Sequence, residues 1–261
     1  MPAFIGNDVV DLRSDEAMGK AADQRFVRRV CAPAEQALLA DLPTAAATTL
    51  LWQLWSAKEA AFKAAHKAYG ARFSPAAFAV DPAIIPGDPI PGDPIPGDND
   101  ANARGANKPE PVRWGRVCWR DQDFMVSWRT THDYVHCLAR STRHPFPTRA
   151  AIKHMADFPV APSDSPPEDT DEAATARSPQ SKAVRALARQ LLHGFGIGDI
   201  GIDGADTTFI REVKGVSIGP PRVYQDGRWA SEWDVSFSHH GRFVAAAVLQ
   251  KPVLEANWDN R

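Results

Sequence analysis

The spacing of apolar residues changes several times along the 261-residue chain, and each change marks an element. Phe4-Ile5-Gly6-Asn7-Asp8-Val9-Val10-Asp11-Leu12 is a short apolar run that predicts a buried strand ending near Asp11. Residues 24–30 and 33–42 predict two short helices, with Pro33 suited to a first turn and Pro43 ending the second. A long helix follows, with Thr44 or Thr48 as its cap and Gly70 as its stop. Inside it Leu51, Leu54, Trp55 and Phe62 recur at helical spacing with no Pro or Gly between them. Residues 73–80 look like a strand. Residues 112–119, 123–130 and 134–141 alternate as a three-strand meander, with Trp114, Cys118, Phe124, Val126, Trp128, Val135 and Cys137 as apolar positions. Residues 181–195 form an amphipathic helix with Val184, Leu187, Ala188, Leu191 and Leu192 on one stripe. Strands over 222–224, 233–238 and 242–249 complete the order. Helix followed by sheet thus occurs twice, and the predicted class is α+β.

Two segments fall outside this pattern. Residues 82–111 hold Ile85-Pro86-Gly87-Asp88-Pro89 and its near-copies from Ile90 and Ile95, a repeat that can continue neither a helix nor a central strand, and read as a mobile insertion. Residues 156–180, with Pro166-Pro167-Glu168-Asp169-Thr170-Asp171-Glu172, have the acidic, proline-rich composition of a linker. The expected organisation is an N-terminal half over 1–155, the linker over 156–180 and a C-terminal half over 181–261. Net charge of −2 argues for neither nucleic acid nor an anionic membrane as partner, so any anion site must be local. Cys31, Cys118 and Cys137 show no metal spacing and no disulfide framework, which points to a reducing cytoplasm. The first residues show no signal peptide, and no stretch is apolar enough to span a membrane.

Three segments carry candidate chemistry. An aspartate inside a short apolar strand, Asp8, is costly unless paired or metal-bound, although a turn or cap role would also account for it. Strand alternation puts Asp8 and Val10 on one face and turns Asp11 away; Gly6 permits close approach of a backbone or ligand. On the long helix Glu59 and Lys63, four apart, share a face and could hold a metal and a phosphate together, or form an ordinary surface pair. The third segment is Trp233-Asp234-Val235-Ser236-Phe237-Ser238-His239-His240-Gly241-Arg242. Ser238 and His239 sit at a strand end, where donors can meet a phosphate or satisfy a hairpin turn. Gly194-Phe195-Gly196-Ile197-Gly198 follows a helix and reads as its stop signal, not as a phosphate loop.

Gly6-Asn7-Asp8-Val9-Val10-Asp11, Trp55-Ser56-Ala57-Lys58-Glu59-Ala60-Ala61-Phe62-Lys63 and Val235-Ser236-Phe237-Ser238-His239 together resemble the 4'-phosphopantetheinyl transferase superfamily. Their order matches the holo-acyl-carrier-protein synthase type; Arg25-Phe26-Val27-Arg28-Arg29-Val30 and Glu35 look like its early Arg-bearing helices. The resemblance implies an enzyme that moves the phosphopantetheine arm of coenzyme A to a serine of an apo acyl- or peptidyl-carrier protein, releasing 3',5'-ADP. It implies Mg2+ on Asp8 and Glu59, with Asp11 a doubtful third carboxylate. Glu59 would also govern the serine proton, through a water it relays or one the metal holds, and Lys63 would stabilise charge on the leaving phosphate. Lys58 would contact the nucleotide or an acidic carrier; Ser238 and His239 the coenzyme A phosphates, above all the 3'-phosphate; Arg29 or Arg28 a further phosphate. The synthase type is about half as long and trimeric, so a second helix-plus-sheet unit in one chain predicts two pseudo-symmetric halves with the site between them, as a monomer rather than a trimer. An inactive carrier-binding relative and a metal-dependent phosphohydrolase are the alternatives.

Overall fold

β1 (Ile5–Asp11) is buried along its whole length, polar Asn7, Asp8 and Asp11 included. In the computed structural model, which describes residues 3–81, 113–141, 146–158, 178–197, 208–214, 217–225 and 228–251, this strand is the centre of the molecule. The 82–111 insertion and residues 159–177 of the expected linker lie outside the described residues. Helices α1 (Gln24–Val30) and α2 (Pro33–Ala40) follow β1 and lead into α3 (Thr44–Tyr69). Pro43, not Thr44 or Thr48, holds the N-cap position of α3; Thr44 is already helical and Thr48 is buried one turn in. α3 crosses β1 so closely that a Cβ on Gly6 would lie 1.9 Å from the Ala60 carbonyl oxygen. Any side chain at position 6 would therefore push the strand off the helix, and the close approach expected of Gly6 is to helix backbone.

The stretch over 73–80 is mostly not a strand. Pro75, which fixes its own φ and offers no N–H, starts a 3-10 turn, leaving only β2 (Ala79–Val80) in a sheet. β3 (Arg113–Trp119), β4 (Gln122–Thr130) and β5 (Tyr134–Arg140) form the expected meander, and the first sheet runs β1-β5-β4-β3-β2, antiparallel throughout. α3 covers this sheet with Leu51, Trp52, Leu54, Ala57 and Ala61, against Phe78, Val117, Phe124 and Val126. Phe26 of α1 packs against both Trp52 and Trp55 with its ring tilted to each, ring centroids 5.7 Å apart in both pairs. Burying such side chains contributes about 1.5–3 kcal/mol each, which holds α3 rigidly on β1.

β6 (Thr148–His154) does not join the first sheet and pairs with the last described strand. The expected boundary after residue 155 thus falls just beyond a strand of another sheet. α4 (Pro179–His193) follows, then β7 (Thr208–Lys214), β8 (Ser217–Gln225), β9 (Arg228–Trp229), β10 (Trp233–His240) and β11 (Phe243–Gln250). The second sheet runs β10-β11-β6, with β7-β8-β9 as a separate antiparallel sheet. Val184, Leu187, Leu191 and Leu192 of α4 pack on Trp233, Val235, Val244, Ala246 and Val248. The class is α+β.

β1 and β10 are edge strands of different sheets, and they lie side by side in the same direction without pairing their backbones. Side chains of β10 fill the gap. Backbone N–H groups of Ile5, Asn7, Val9 and Asp11 donate to Asp234 Oδ2 (2.7 Å), Ser236 Oγ (2.9 Å), Ser238 Oγ (3.1 Å) and His240 Nδ1 (3.1 Å). The period of two in both strands makes this possible: every second N–H meets every second side chain. Edge N–H groups that would otherwise be buried and unpaired are thus satisfied across the junction. Lys67 of α3 closes one end, 2.7 Å from Asp234 Oδ2 and 2.9 Å from the Val235 carbonyl. Arg242 closes the other with a two-pronged pair to Asp11 at 2.8 and 2.7 Å. Gly241 makes the turn between β10 and β11 with φ of +51°, and a Cβ there would fall 2.6 Å from Asp11 Oδ2.

Candidate active site

A cleft of about 520 Å³ opens where α3 and β1 face α4 and the end of β10. Asp8, Val9 and Val10 line it from β1, and Trp52, Trp55, Glu59 and Lys63 from α3. Ser178, Ser181, Val184 and Arg185 line it from α4, and residues Phe237 to His240 from β10. Asp8, Glu59 and Lys63 therefore meet His239 from the other unit across one space. Glu59 and Lys63 share a helix face because they are four residues apart, and that face points at β1.

Lys63 Nζ binds three oxygens: Asp8 Oδ1 at 3.1 Å, Glu59 Oε1 at 3.4 Å and the Asn7 carbonyl at 2.8 Å. Two carboxylate oxygens are thus within reach of one cation. Burial, and then the Glu59 charge, push the Asp8 carboxyl up to about 7, against the opposing effects of Lys63 and Ser238. For Lys63 burial works against the charged form, but Asp8 and Glu59 outweigh it and hold the ammonium above its ordinary range. Asp8 Oδ1 also accepts from Ser238 Oγ at 2.8 Å, whereas Asp8 Oδ2 is buried and meets no hydrogen-bond partner among the described residues.

That orphaned oxygen, beside a second carboxylate that is 27 % exposed, suits a hard divalent cation. Among the described residues no group of three or more His, Cys, Asp or Glu side chains forms a complete metal centre. A cation on Asp8 and Glu59 would draw its other ligands from water and substrate phosphates, as magnesium commonly does.

Other expected site residues stand elsewhere. Lys58 is fully buried, 2.7 Å from Glu35 Oε2 and 3.3 Å from the Pro75 carbonyl. It cannot contact a nucleotide or a carrier: one residue before Glu59 means about 100° around the helix, and that direction leads into the core. Glu35 is equally structural, also accepting from the N–H groups of Ala32 and Val80. Arg29 is exposed on α1 with its guanidinium 5.4 Å from the Phe26 ring, and does not line the cleft. Arg28 is exposed as well. Asp11 is bound to Arg242 and turned from Asp8, as alternation requires; burial would raise its carboxyl, but the Arg242 bonds bring it down to about 2. Ser238 and His239 part company because β10 runs on through His240: Ser238 is buried against Asp8, and His239 is exposed.

Sequence reasoning did not single out Lys67, Asp234 and Arg242, which fasten the two units, or Ser178, Ser181 and Arg185 in the cleft wall. Lys67 could have been found, lying eight residues beyond Glu59 on the same helix stripe. Arg185 is a buried cation on the apolar side of α4, its Nη1 2.8 Å from the Ser181 carbonyl and its guanidinium 5.6 Å from the Phe237 ring.

Residues 4–85 match the 4'-phosphopantetheinyl transferase superfamily. The matched segment covers about a third of the chain and spans β1, α1, α2, α3 and β2, so Asp8, Glu59 and Lys63 fall inside it, and Ser238 and His239 outside. The comparison with curated proteins found no match. Among the described residues no helix is long and apolar enough to cross a membrane.

Proposed function

We propose that this cleft transfers the 4'-phosphopantetheine arm of coenzyme A to a serine of an apo acyl- or peptidyl-carrier protein, releasing 3',5'-ADP. The observation that carries the reading is the convergence of Asp8, Glu59 and Lys63, all in the superfamily segment, on a cleft closed by His239 from the other unit. The reaction forms a bond from the serine Oγ to the phosphorus bearing the pantetheine arm and breaks the anhydride bond to the nucleotide. Catalysis of this kind is mostly positioning and charge stabilisation.

Asp8 and Glu59 would hold a magnesium-type cation, which when bound supplies positive charge to the pyrophosphate and fixes its orientation. Lys63 keeps its proton and offers an ammonium to the leaving phosphate as negative charge grows there. Glu59, the more open of the two carboxylates, receives the serine proton directly or through one water. His239 at the cleft rim suits the 3'-phosphate. Trp52 and Trp55 give the cleft one apolar wall that limits water.

The strand orders support the reading of two pseudo-symmetric halves. β1-β5-β4 and β6-β11-β10 each place the first strand beside the last and the penultimate strand next, with one long helix on each unit. On that reading the second half begins at β6. Both walls of the cleft come from one chain, which supports a monomer as the working unit. The described cysteines are free, in keeping with a reducing cytoplasm.

The test is direct. The protein is incubated with coenzyme A, Mg2+ and a panel of apo carrier domains, and each carrier is weighed by mass spectrometry. A gain of one phosphopantetheine on a carrier serine is expected, and no gain on any carrier overturns the proposal. Nucleotide release without a carrier would instead favour hydrolysis.

A further inference from the structure

Ser238 stands in the segment expected to bind a coenzyme A phosphate, but its hydroxyl is already committed. It accepts the Val9 N–H at 3.1 Å and donates its one proton to Asp8 Oδ1 at 2.8 Å. It is 6 % exposed. A hydroxyl has a single hydrogen to give, and here an acidic oxygen takes it. A phosphate needs donors, so it gains nothing from Ser238 while this bond stands.

We infer that Ser238 is a positioning residue for the cation-binding carboxylate Asp8, supplied by the opposite half of the molecule, and not a phosphate ligand. The inference rests on the assignment of Asp8 to the cation. Asp8 Oδ1 is saturated by Ser238 and Lys63, and the carboxylate plane is thereby fixed with Oδ2 left over. Val9 N–H pins the Ser238 oxygen from the adjacent residue of the same strand, so the hydroxyl can neither rotate away nor drift. Ligand carboxylates are commonly held by such outer partners, whose loss weakens metal binding about 10–100-fold. The phosphate role of the segment then falls to His239, which alternation sends to the other side of β10.

The same ladder supplies a control. Ser236 Oγ accepts the Asn7 N–H at 2.9 Å, one rung away, but touches neither carboxylate of the cation site. Ser236→Ala removes a rung and leaves the Asp8 geometry alone. Mn2+ is titrated by calorimetry and by its paramagnetic resonance signal into the full chain with saturating coenzyme A and no carrier. Wild type, Ser238→Ala, Ser238→Thr, Ser236→Ala and His239→Ala are compared, and kinetics follow with coenzyme A and 3'-dephospho-coenzyme A.

Ser238→Ala should weaken Mn2+ roughly tenfold or more. It should leave the preference for coenzyme A over its dephospho form unchanged, and Ser238→Thr should restore Mn2+ binding. Ser236→Ala should also lose thermal stability, through the orphaned Asn7 N–H, but keep wild-type Mn2+ affinity. His239→Ala should do the reverse of Ser238→Ala, sparing Mn2+ and erasing the preference for the 3'-phosphate. Unchanged Mn2+ affinity in Ser238→Ala, or equal weakening in Ser236→Ala, overturns the positioning role. Should wild type bind no Mn2+, the assignment of Asp8 to a cation fails first.

Discussion

Removing the charge of Asp8 should destroy activity and at the same time stabilise the cation-free protein. Asp8→Asn keeps the side-chain shape and still offers an oxygen to Ser238, but it cannot ionise. In the wild type, burial and Glu59 hold the Asp8 carboxyl up at about 7, against 3.8 ordinarily. The folded state therefore keeps a proton that the unfolded chain has released. Stability falls as pH rises from about 4 to about 7 and levels off above that. Moving a carboxyl that far corresponds to roughly 4 kcal/mol above pH 7, at about 1.4 kcal/mol per pH unit. That shift is already net of the attraction of Lys63, so a stabilisation of up to about 4 kcal/mol is expected. In a chain of this size that is a Tm higher by up to about 8–16 °C. The assay is thermal unfolding with a chelator at pH 5 and pH 8: the advantage of Asp8→Asn should be large at pH 8, smaller at pH 5 and gone near pH 4. Adding Mg2+ with coenzyme A should raise the Tm of wild type alone. A variant less stable than wild type at pH 8 in chelator would show that the Asp8 charge is well accommodated without a cation, and would refute the reasoning.

Lys58→Met should lower stability by about 3–5 kcal/mol by leaving Glu35 buried beside no cation, with the KM for coenzyme A unchanged in the folded fraction; a raised KM at unchanged Tm would restore a nucleotide contact. Arg242→Ala should reduce stability at pH 7 by about 1 kcal/mol. Because Asp11 is held near 2, its contribution is present above about pH 4 and disappears as pH falls through about 2, so wild type and variant should converge in acid melts and differ near neutrality. A constant gap at every pH would mean that the pair is not what Arg242 contributes. His239→Ala should raise the KM for coenzyme A several-fold and that for 3'-dephospho-coenzyme A hardly at all; equal effects on both would remove the 3'-phosphate assignment.

The parts of the fold legible in the sequence are those with a strong local period. α3 and the β3-β4-β5 meander announce themselves, since their apolar positions repeat over many residues. β6 does not: in Thr-Arg-Ala-Ala-Ile-Lys-His the small Ala150 is the buried side chain, and the strand owes its place to pairing with β11, about ninety residues later. The site shows the same division. Asp8, Glu59 and Lys63 could be proposed because one strand and one helix face carry them. Lys58 misled because adjacency in sequence says nothing about which way a helix faces, and its partner Glu35 lies on another helix. The split between Ser238 and His239 was within reach of strand alternation, had β10 been extended through His240. The Asp11–Arg242 and Lys67–Asp234 pairs join residues from distant parts of the chain, and no local pattern reports them.

The ladder between β1 and β10 joins residues that are always 229 positions apart. β1 is made well before β10. Until β10 arrives, the edge of β1 has no cover and Asp8 lacks its Ser238 partner. A chain clipped within β10 would keep Asp8, Glu59 and Lys63 and lose the strand that orients them, so an early cluster of charged residues stays unfinished until a distant strand is laid beside it.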